Sequence, residues 1–106
     1  MTTFDKREQD FEAQLVHSEK LRFKAIARRD KWIGLWAAEK LGKKGAEAES
    51  YAATVMSADI ERGGGEVFNK IRADFDKAGV KQSDHQIHRK LDELLAAALA
   101  EVKASG

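Results

Sequence analysis

The chain has 106 residues, and its 19 Lys and Arg residues almost balance its 18 Asp and Glu residues, so the formal net charge is +1. A chain of this length forms one domain, and 42% hydrophobic with 35% charged residues is typical of a folded, highly soluble protein. The lack of cysteine excludes disulfides, thiolate metal sites and cysteine catalysis, and the balanced charge removes the positive field that gathers nucleic acid.

The sequence contains no apolar run of the roughly 18–20 residues that a membrane span needs. Its first residues, Met-Thr-Thr-Phe-Asp-Lys-Arg, lack the apolar stretch of a signal peptide. We therefore expect a protein of the reducing cytoplasm that does not insert into a membrane.

Residues 1–17 form the first predicted element, a helical N-terminal arm. Phe4, Phe11 and Leu15 recur at i, i+7 and i+11, which places them on one helical face. We expect the later helices to be too short to cover this face. The arm is therefore predicted to be mobile in the free chain and to bind a partner as a helix laid into a groove. A tail that folds back or stays frayed is the alternative.

The next segment, from about Ser18 to Leu41, predicts the first helix of a bundle. Gly34 lies inside this run, where we expect it to permit the close approach of another helix. An alanine-rich second helix is predicted after Gly42 and Gly45. The apolar positions of the two helices are Leu21, Phe23, Ile26, Trp32, Ile33, Leu35, Trp36 and Ala37 in the first, and Ala48, Tyr51, Ala52, Val55 and Met56 in the second.

Two further helices are predicted beyond the triple glycine at 63–65. This triplet lacks the Gly-Lys-Ser/Thr sequel and the preceding strand of a phosphate-binding loop, so we interpret it as a helix-breaking turn. The third helix ends at Gly79 in a left-handed cap, with Val80 packing back on Phe75. Ser83 and Gln86 form a capping box that starts the fourth. The apolar positions are Phe68, Ile71, Phe75 and Ala78, then Ile87, Leu91, Leu94, Leu95, Ala98 and Val102.

Four amphipathic helices joined by short glycine-containing links predict an all-α fold, an antiparallel four-helix bundle over residues 18–106. Its first helix is long if the arm of residues 1–17 is continuous with it. The absence of proline and of any strand-like alternation supports this class.

Three other groups of side chains are candidates for a metal, catalytic or nucleic-acid site. His85 and His88, with Asp84 beside them, have a spacing that metal ligands can have. Because surface and capping roles are commoner for such residues, we predict no metal site. The serine and threonine hydroxyls show no catalytic partner arrangement, so we predict a protein that is not an enzyme.

The basic stretch comprises Lys20, Arg22, Lys24, Arg28, Arg29 and Lys31. Because these residues spread around the helix and Glu19 and Asp30 flank them, we favour a solvated face with i,i+4 ion pairs over nucleic-acid binding.

Motifs along nearly the whole chain resemble one family, the zeta-subunit ATPase inhibitor of alphaproteobacteria. They are Met1-Thr-Thr-Phe-Asp-Lys-Arg-Glu8, Leu21-Arg-Phe-Lys-Ala25, Ala27-Arg-Arg29, Gly34-Leu-Trp-Ala-Ala-Glu-Lys-Leu-Gly42, Gly45-Ala-Glu-Ala-Glu49, Tyr51-Ala52, Ile71-Arg-Ala-Asp74, Ser83-Asp-His85 and Asp92-Glu-Leu-Leu95. The block from Gly34 to Gly42 is the most specific. The chain departs from the pattern at His88 and at Lys43-Lys44, neither of which lies in the arm.

The resemblance implies an intrinsic inhibitor of the F-type ATP synthase folded as a four-helix bundle. Its N-terminal arm would insert as a helix between an alpha and a beta subunit, near the gamma rotor, and block ATP hydrolysis while synthesis is largely spared. The implied inhibitory positions are Thr3, Phe4, Asp5, Lys6, Arg7, Glu8, Asp10, Phe11 and Leu15, with the two phenylalanines as anchors.

The resemblance also implies the setting of the protein. Its partners would be the alpha, beta and gamma subunits, and it would associate with the cytoplasmic face of the inner membrane through the ATP synthase. We expect a monomer when free, with no nucleic-acid partner and no required cofactor. Some relatives are described as binding adenine nucleotide, so weak nucleotide binding is an expectation for which this sequence offers no phosphate-binding motif. A helical nucleotide-sensing or nucleic-acid-binding module is the alternative function.

Overall fold

The computed structural model consists of four α-helices: α1 (Thr2–Lys40), α2 (Ala46–Arg62), α3 (Gly65–Ala78) and α4 (Asp84–Ser105). It describes the backbone of residues 2–63 and 65–105 and the side chains of residues 19–63 and 65–105. The part of α1 whose side chains are described, residues 19–40, has the same length as α4, which is 22 residues long. The described backbone contains helices and turns and no strands, which confirms the all-α prediction.

The helices form an up-down-up-down bundle in which each neighbour along the chain is antiparallel. α1 packs between α2 and α4, and α3 closes the bundle against the same two helices. Gly34 on α1 lies against Ala52 on α2, and the hydroxyl of Tyr51 on α2 donates a hydrogen bond to Asp74 on α3. Because the links are short, helices that follow each other along the chain pack as antiparallel neighbours, and four amphipathic helices then form this bundle.

The core is one main cluster with a smaller one beside it. Phe75, Ile33, Ile71 and Ile87 are the largest fully buried side chains of the main cluster, and the Trp36 ring packs on Phe75 with centroids 5.7 Å apart. The smaller cluster comprises Ala25, Ala98 and Val102, with Leu21, Trp32, Leu95 and Leu99 packed against it. It joins α1 to α4 at the end of the bundle from which residues 2–18 extend.

Two predicted core positions are wrong. Phe23 is 75% exposed, because the α1 face that it occupies borders the α1–α2 cleft rather than the bundle interior. Ala78 is exposed in the last turn of α3, where the helix is about to end. Val67, which the spacing argument missed, is fully buried, whereas its neighbour Phe68 is half-buried.

Gly34 has the role that its position inside a helical run predicts. A Cβ atom at residue 34 would lie 2.7 Å from the Cα and 3.0 Å from the Cβ of Ala52. Real Cβ atoms do not come this close to another backbone. The missing side chain is therefore what lets α1 and α2 pack so closely at their crossing.

The ends of the third and fourth helices confirm their predicted caps. Gly79 has a φ of 72°, and the Val80 N–H donates to the Phe75 carbonyl at 2.9 Å, as in a Schellman motif. Val80 packs against the main core cluster, which contains Phe75. The Ser83 N–H donates to Gln86 Oε1 at 2.9 Å, and the Gln86 N–H donates to Ser83 Oγ at 3.1 Å, which completes the capping box.

Candidate partner-binding surface

The predicted inhibitory side chains, Thr3, Phe4, Asp5, Lys6, Arg7, Glu8, Asp10, Phe11 and Leu15, lie outside the described side chains. Their backbone belongs to α1, which begins at Thr2 and continues without interruption to Lys40. The structure therefore places the predicted arm on the same helix as the bundle residues from 19 onward. The arm leaves the bundle at one of its ends. The described surface at this end is formed by the part of α1 that follows residue 18 and by the last turns of α2 and α4.

An apolar trough opens at this end between α1 and α2. Its walls carry Phe23 on α1 and Ile60 on α2, which are 75% and 84% exposed and are the large exposed hydrophobic residues of the described chain. The cleft has a volume of about 430 Å³, and we call it the arm-end trough. It is lined by Phe23, Ile26, Ala27, Asp30, Met56, Asp59 and Ile60. It continues along α1 past Arg22 to Glu19 in a second cavity of about 350 Å³ that shares Phe23 and Ile26. Exposed apolar residues grouped in this way are typical of a binding surface.

A buried carboxyl group forms the floor of the arm-end trough. Asp30 is 3% exposed and accepts two hydrogen bonds from Arg29, from Nη2 at 2.9 Å and from Nε at 3.1 Å. Burial, the larger cause, and a hydrogen bond with Asp59 of α2 together raise the pKa of Asp30 from 3.8 to about 7, against the opposing effect of Arg29. The carboxyl group of Asp30 therefore holds its proton up to about neutral pH, at the interface between α1 and α2. This burial was not predicted, because Asp30 belongs to a stretch of the sequence that is typical of a solvated charged face.

The raised pKa makes stability pH-dependent. Between 3.8 and about 7 the folded chain holds a proton on Asp30 that the unfolded chain has lost, so the free energy of unfolding falls as the pH rises through this range. Asp30→Asn cannot ionise and keeps a donor for Asp59, so we expect it to be more stable than the wild type by ~2–4 kcal/mol at pH 8. The gap should be small near pH 4. Thermal melts at both pH values measure it.

The control for this prediction is Asp92→Asn, which neutralises an exposed carboxylate of α4. It should leave the pH dependence of the melting temperature as in the wild type. An Asp30→Asn variant that follows the wild-type profile from pH 4 to 8 would contradict the raised pKa of Asp30.

The basic stretch on α1 divides into residues with different partners. Arg28 pairs with Glu101 of α4, and Arg29 is held by Asp30. These pairs join different elements or adjacent residues, so the predicted i,i+4 pairs are wrong for this stretch. In the described part of the chain such pairs occur on α3, as Lys70–Asp74 at 3.1 Å and Arg72–Asp76 at 2.7 Å.

A second cleft, of about 570 Å³, lies between α2 and α3. At its inner edge the Tyr51 hydroxyl donates to Asp74 Oδ2 at 2.8 Å, and Lys70 Nζ lies 3.1 Å from the same oxygen. Burial and this hydrogen bond raise the pKa of Tyr51, so its proton is firmly held. The charged lining residues are Arg62 and Lys70 against Glu61, Glu66 and Asp74, a balance that does not favour a polyphosphate.

Neither histidine of α4 enters a metal-binding arrangement in the residues that the structure describes. His88 stacks on Phe68, with ring centroids 4.1 Å apart and planes 7° from parallel, and His85 is exposed. Across residues 19–63 and 65–105 no group of three or more His, Asp or Glu side chains is placed to hold a metal ion. No helix in the described part of the chain is long and apolar enough to cross a membrane.

The described residues thus form a small helical bundle with a continuous N-terminal helical extension and an apolar trough beside it. Comparison with solved structures found a similar one, determined in solution by NMR. The TM-score is 0.68 at 40% sequence identity, over 81% of this chain and 99% of that chain. A search of curated protein sequences found no match.

Comparison with sequence families identifies the chain more closely. The model of the family described as ATPase inhibitor subunit zeta matches residues 1–101. The chain belongs to this family, whose members are inhibitory regulatory subunits and not enzymes. Membership implies association with the ATP synthase.

Proposed function

We propose that the chain inhibits ATP hydrolysis by the F-type ATP synthase by inserting its N-terminal arm as a helix at an alpha/beta catalytic interface near the gamma rotor. The observation that carries the proposal is the extent of the family match, which begins at residue 1 and so includes the whole arm together with the bundle. An arm that was an unrelated tail would be expected to fall outside the match.

The fold supports a helical mode of insertion. Starting a helix is costly because the first turn fixes several residues for one hydrogen bond, whereas extending an existing helix adds one bond for each residue fixed. Residues 2–18 are continuous with the packed part of α1, so the bundle serves as the nucleus on which the arm propagates. We expect the arm to be mobile in the free protein and to be held as a helix in the complex.

The energies explain why both parts are needed. Burying Phe4, Phe11 and Leu15 against the synthase would contribute roughly 5–8 kcal/mol. Ordering a dozen backbone residues costs on the order of 1–2 kcal/mol each, less where the helix only extends. The arm alone would therefore bind weakly, and the bundle contributes by nucleating it and by docking outside the catalytic interface.

The remaining arm residues would orient the helix rather than anchor it. Asp5 lies in the first turn of α1, at its positive N-terminal end, where an acidic side chain stabilises a helix, and Glu8 and Asp10 follow within the next two turns. Lys6 and Arg7 add positive charge for acidic groups of the partner, and Thr3 stands in the first turn. The alpha, beta and gamma subunits are the proposed contacts, at the cytoplasmic face of the inner membrane.

Adenine-nucleotide binding remains a secondary proposal without a site. The α2–α3 cleft is the largest of the described cavities, but its lining carries more acidic than basic side chains. Titration of the chain with ADP and ATP, followed by NMR shift changes, tests it. Binding at millimolar concentrations would move resonances of one cleft, and unchanged spectra would remove the proposal.

The proposed function is tested by titrating the purified chain into the cognate synthase. Hydrolysis by the catalytic sector should fall with added chain, and synthesis by the intact enzyme in energised vesicles should be largely spared. Equal loss of both rates would contradict a block that acts on hydrolytic rotation, and no loss of hydrolysis would contradict the inhibitory role of this chain.

A further inference from the structure

We infer that the arm-end trough is a second docking site for the ATP synthase, occupied by a partner segment that presents an apolar side chain next to a lysine or arginine. The inference rests on the proposed function, because it assigns the same partner to a surface of the bundle. It adds a contact that the arm does not supply.

The walls of the arm-end trough are exposed. Phe23 and Ile60 are 75% and 84% exposed on two different helices, and they face one cleft together with Ile26 and Met56. Neither side chain stabilises the bundle by burial, so their apolar surface is available to a partner at little cost to the fold.

The arm-end trough continues the apolar face of the arm along α1. Counted along the sequence, Phe4, Leu15 and Ile26 are spaced at intervals of eleven residues, or three helical turns, so Ile26 repeats the apolar stripe of the arm. Ile26 lines both the trough and the cavity that extends from it to Glu19. A partner that grips the arm along this stripe reaches the trough without leaving α1.

The charges at the surface of the two cavities favour a basic partner group. Apart from the buried Asp30, the cavities are lined by two acidic residues, Glu19 and Asp59, and one basic residue, Arg22. Arg29 already holds Asp30, and Asp59 takes part in none of the ion pairs of the described side chains. A carboxylate at the rim of an apolar cleft favours a basic group beside the apolar side chain that enters the cleft.

The test uses the full chain and the hydrolysis assay. Phe23→Ser combined with Ile60→Ser should raise the half-inhibitory concentration by roughly ten- to a hundredfold, since it removes two apolar contacts from the complex. The matched control is Lys24→Ser with Glu61→Ser, at the next exposed position of each helix. Thermal melts confirm that both variants are folded. A trough variant that inhibits as well as the control would overturn the inference.

Charge is tested separately with Asp59→Lys against Asp92→Lys. The first should weaken inhibition, and more so at low salt, because it opposes the basic group of the partner. The second reverses an exposed charge of α4 far along the chain from the trough and should leave the half-inhibitory concentration unchanged. Equal effects of the two reversals would overturn the assignment of a basic partner group.

A photocrosslinking residue at position 60, with position 61 as the control, separates this inference from the proposed function. Crosslinks from position 60 to a synthase subunit support the trough even if hydrolysis is not inhibited. If hydrolysis is inhibited and position 60 crosslinks to nothing, the trough inference fails while the proposed function stands. Crosslinks between copies of this chain would overturn it in favour of self-association.

Discussion

Replacing Phe4 and Phe11 together by alanine is expected to raise the concentration needed for half-inhibition of ATP hydrolysis by roughly a hundredfold or more. Each phenylalanine buried in a partner contributes about 1.5–3 kcal/mol, so losing both weakens binding by ~3–6 kcal/mol. Alanine is a strong helix former, so the arm keeps its tendency to extend α1. The change therefore removes contact surface and not helicity. Hydrolysis by the purified catalytic sector measures the effect.

The control is Gln9→Ala with Gln14→Ala, which truncates two arm residues off the stripe of Phe4 and Phe11. This variant should inhibit like the wild type. If the double phenylalanine variant inhibited equally well, the assignment of the anchors would be wrong even though the chain is an inhibitor.

The second large effect concerns the α1–α2 crossing. Gly34→Ala is expected to lower the free energy of unfolding by ~1–3 kcal/mol, although alanine is by itself the better helix former by about 1 kcal/mol. The new Cβ would lie 2.7 Å from the Cα of Ala52, so the two helices must move apart and loosen the core around Ile33. For a domain of this size the melting temperature should fall by roughly 4–8 °C per kcal/mol.

Gly65→Ala is the matched control, because an added Cβ at this first residue of α3 meets no atom within 4 Å. Its melting temperature should equal or exceed that of the wild type. A Gly34→Ala chain as stable as Gly65→Ala would contradict the close crossing.

The helices, their caps and most of the core were predictable because each depends on local sequence. Gly79 needs a backbone conformation that other residues rarely adopt, and the Ser83–Gln86 pair satisfies backbone groups within one turn. Buried residues such as Ile33 and Val55 recur at the helical period, which the sequence shows directly. Local rules of this kind operate without knowledge of the partner helix.

The features that escaped prediction depend on how two helices face each other. Phe23 belongs to the apolar pattern of α1, but the crossing with α2 leaves it at the rim of a cleft. Asp30 has an ionisable side chain of the kind that usually lies at the surface. It is buried here because Arg29 and Asp59 supply its hydrogen bonds. The rotation of one helix against its neighbour decides both outcomes, and periodicity along a single helix does not specify it.

The inhibitory role of the arm is tested most directly by comparing the full chain with a chain lacking residues 1–17 in the hydrolysis assay. Circular dichroism first shows that residues 18–106 alone retain a cooperative helical fold. We expect the full chain to inhibit hydrolysis and the truncated chain not to inhibit it, even at high concentration. Full inhibition by the folded truncated chain would contradict it and would place the inhibitory surface on the bundle.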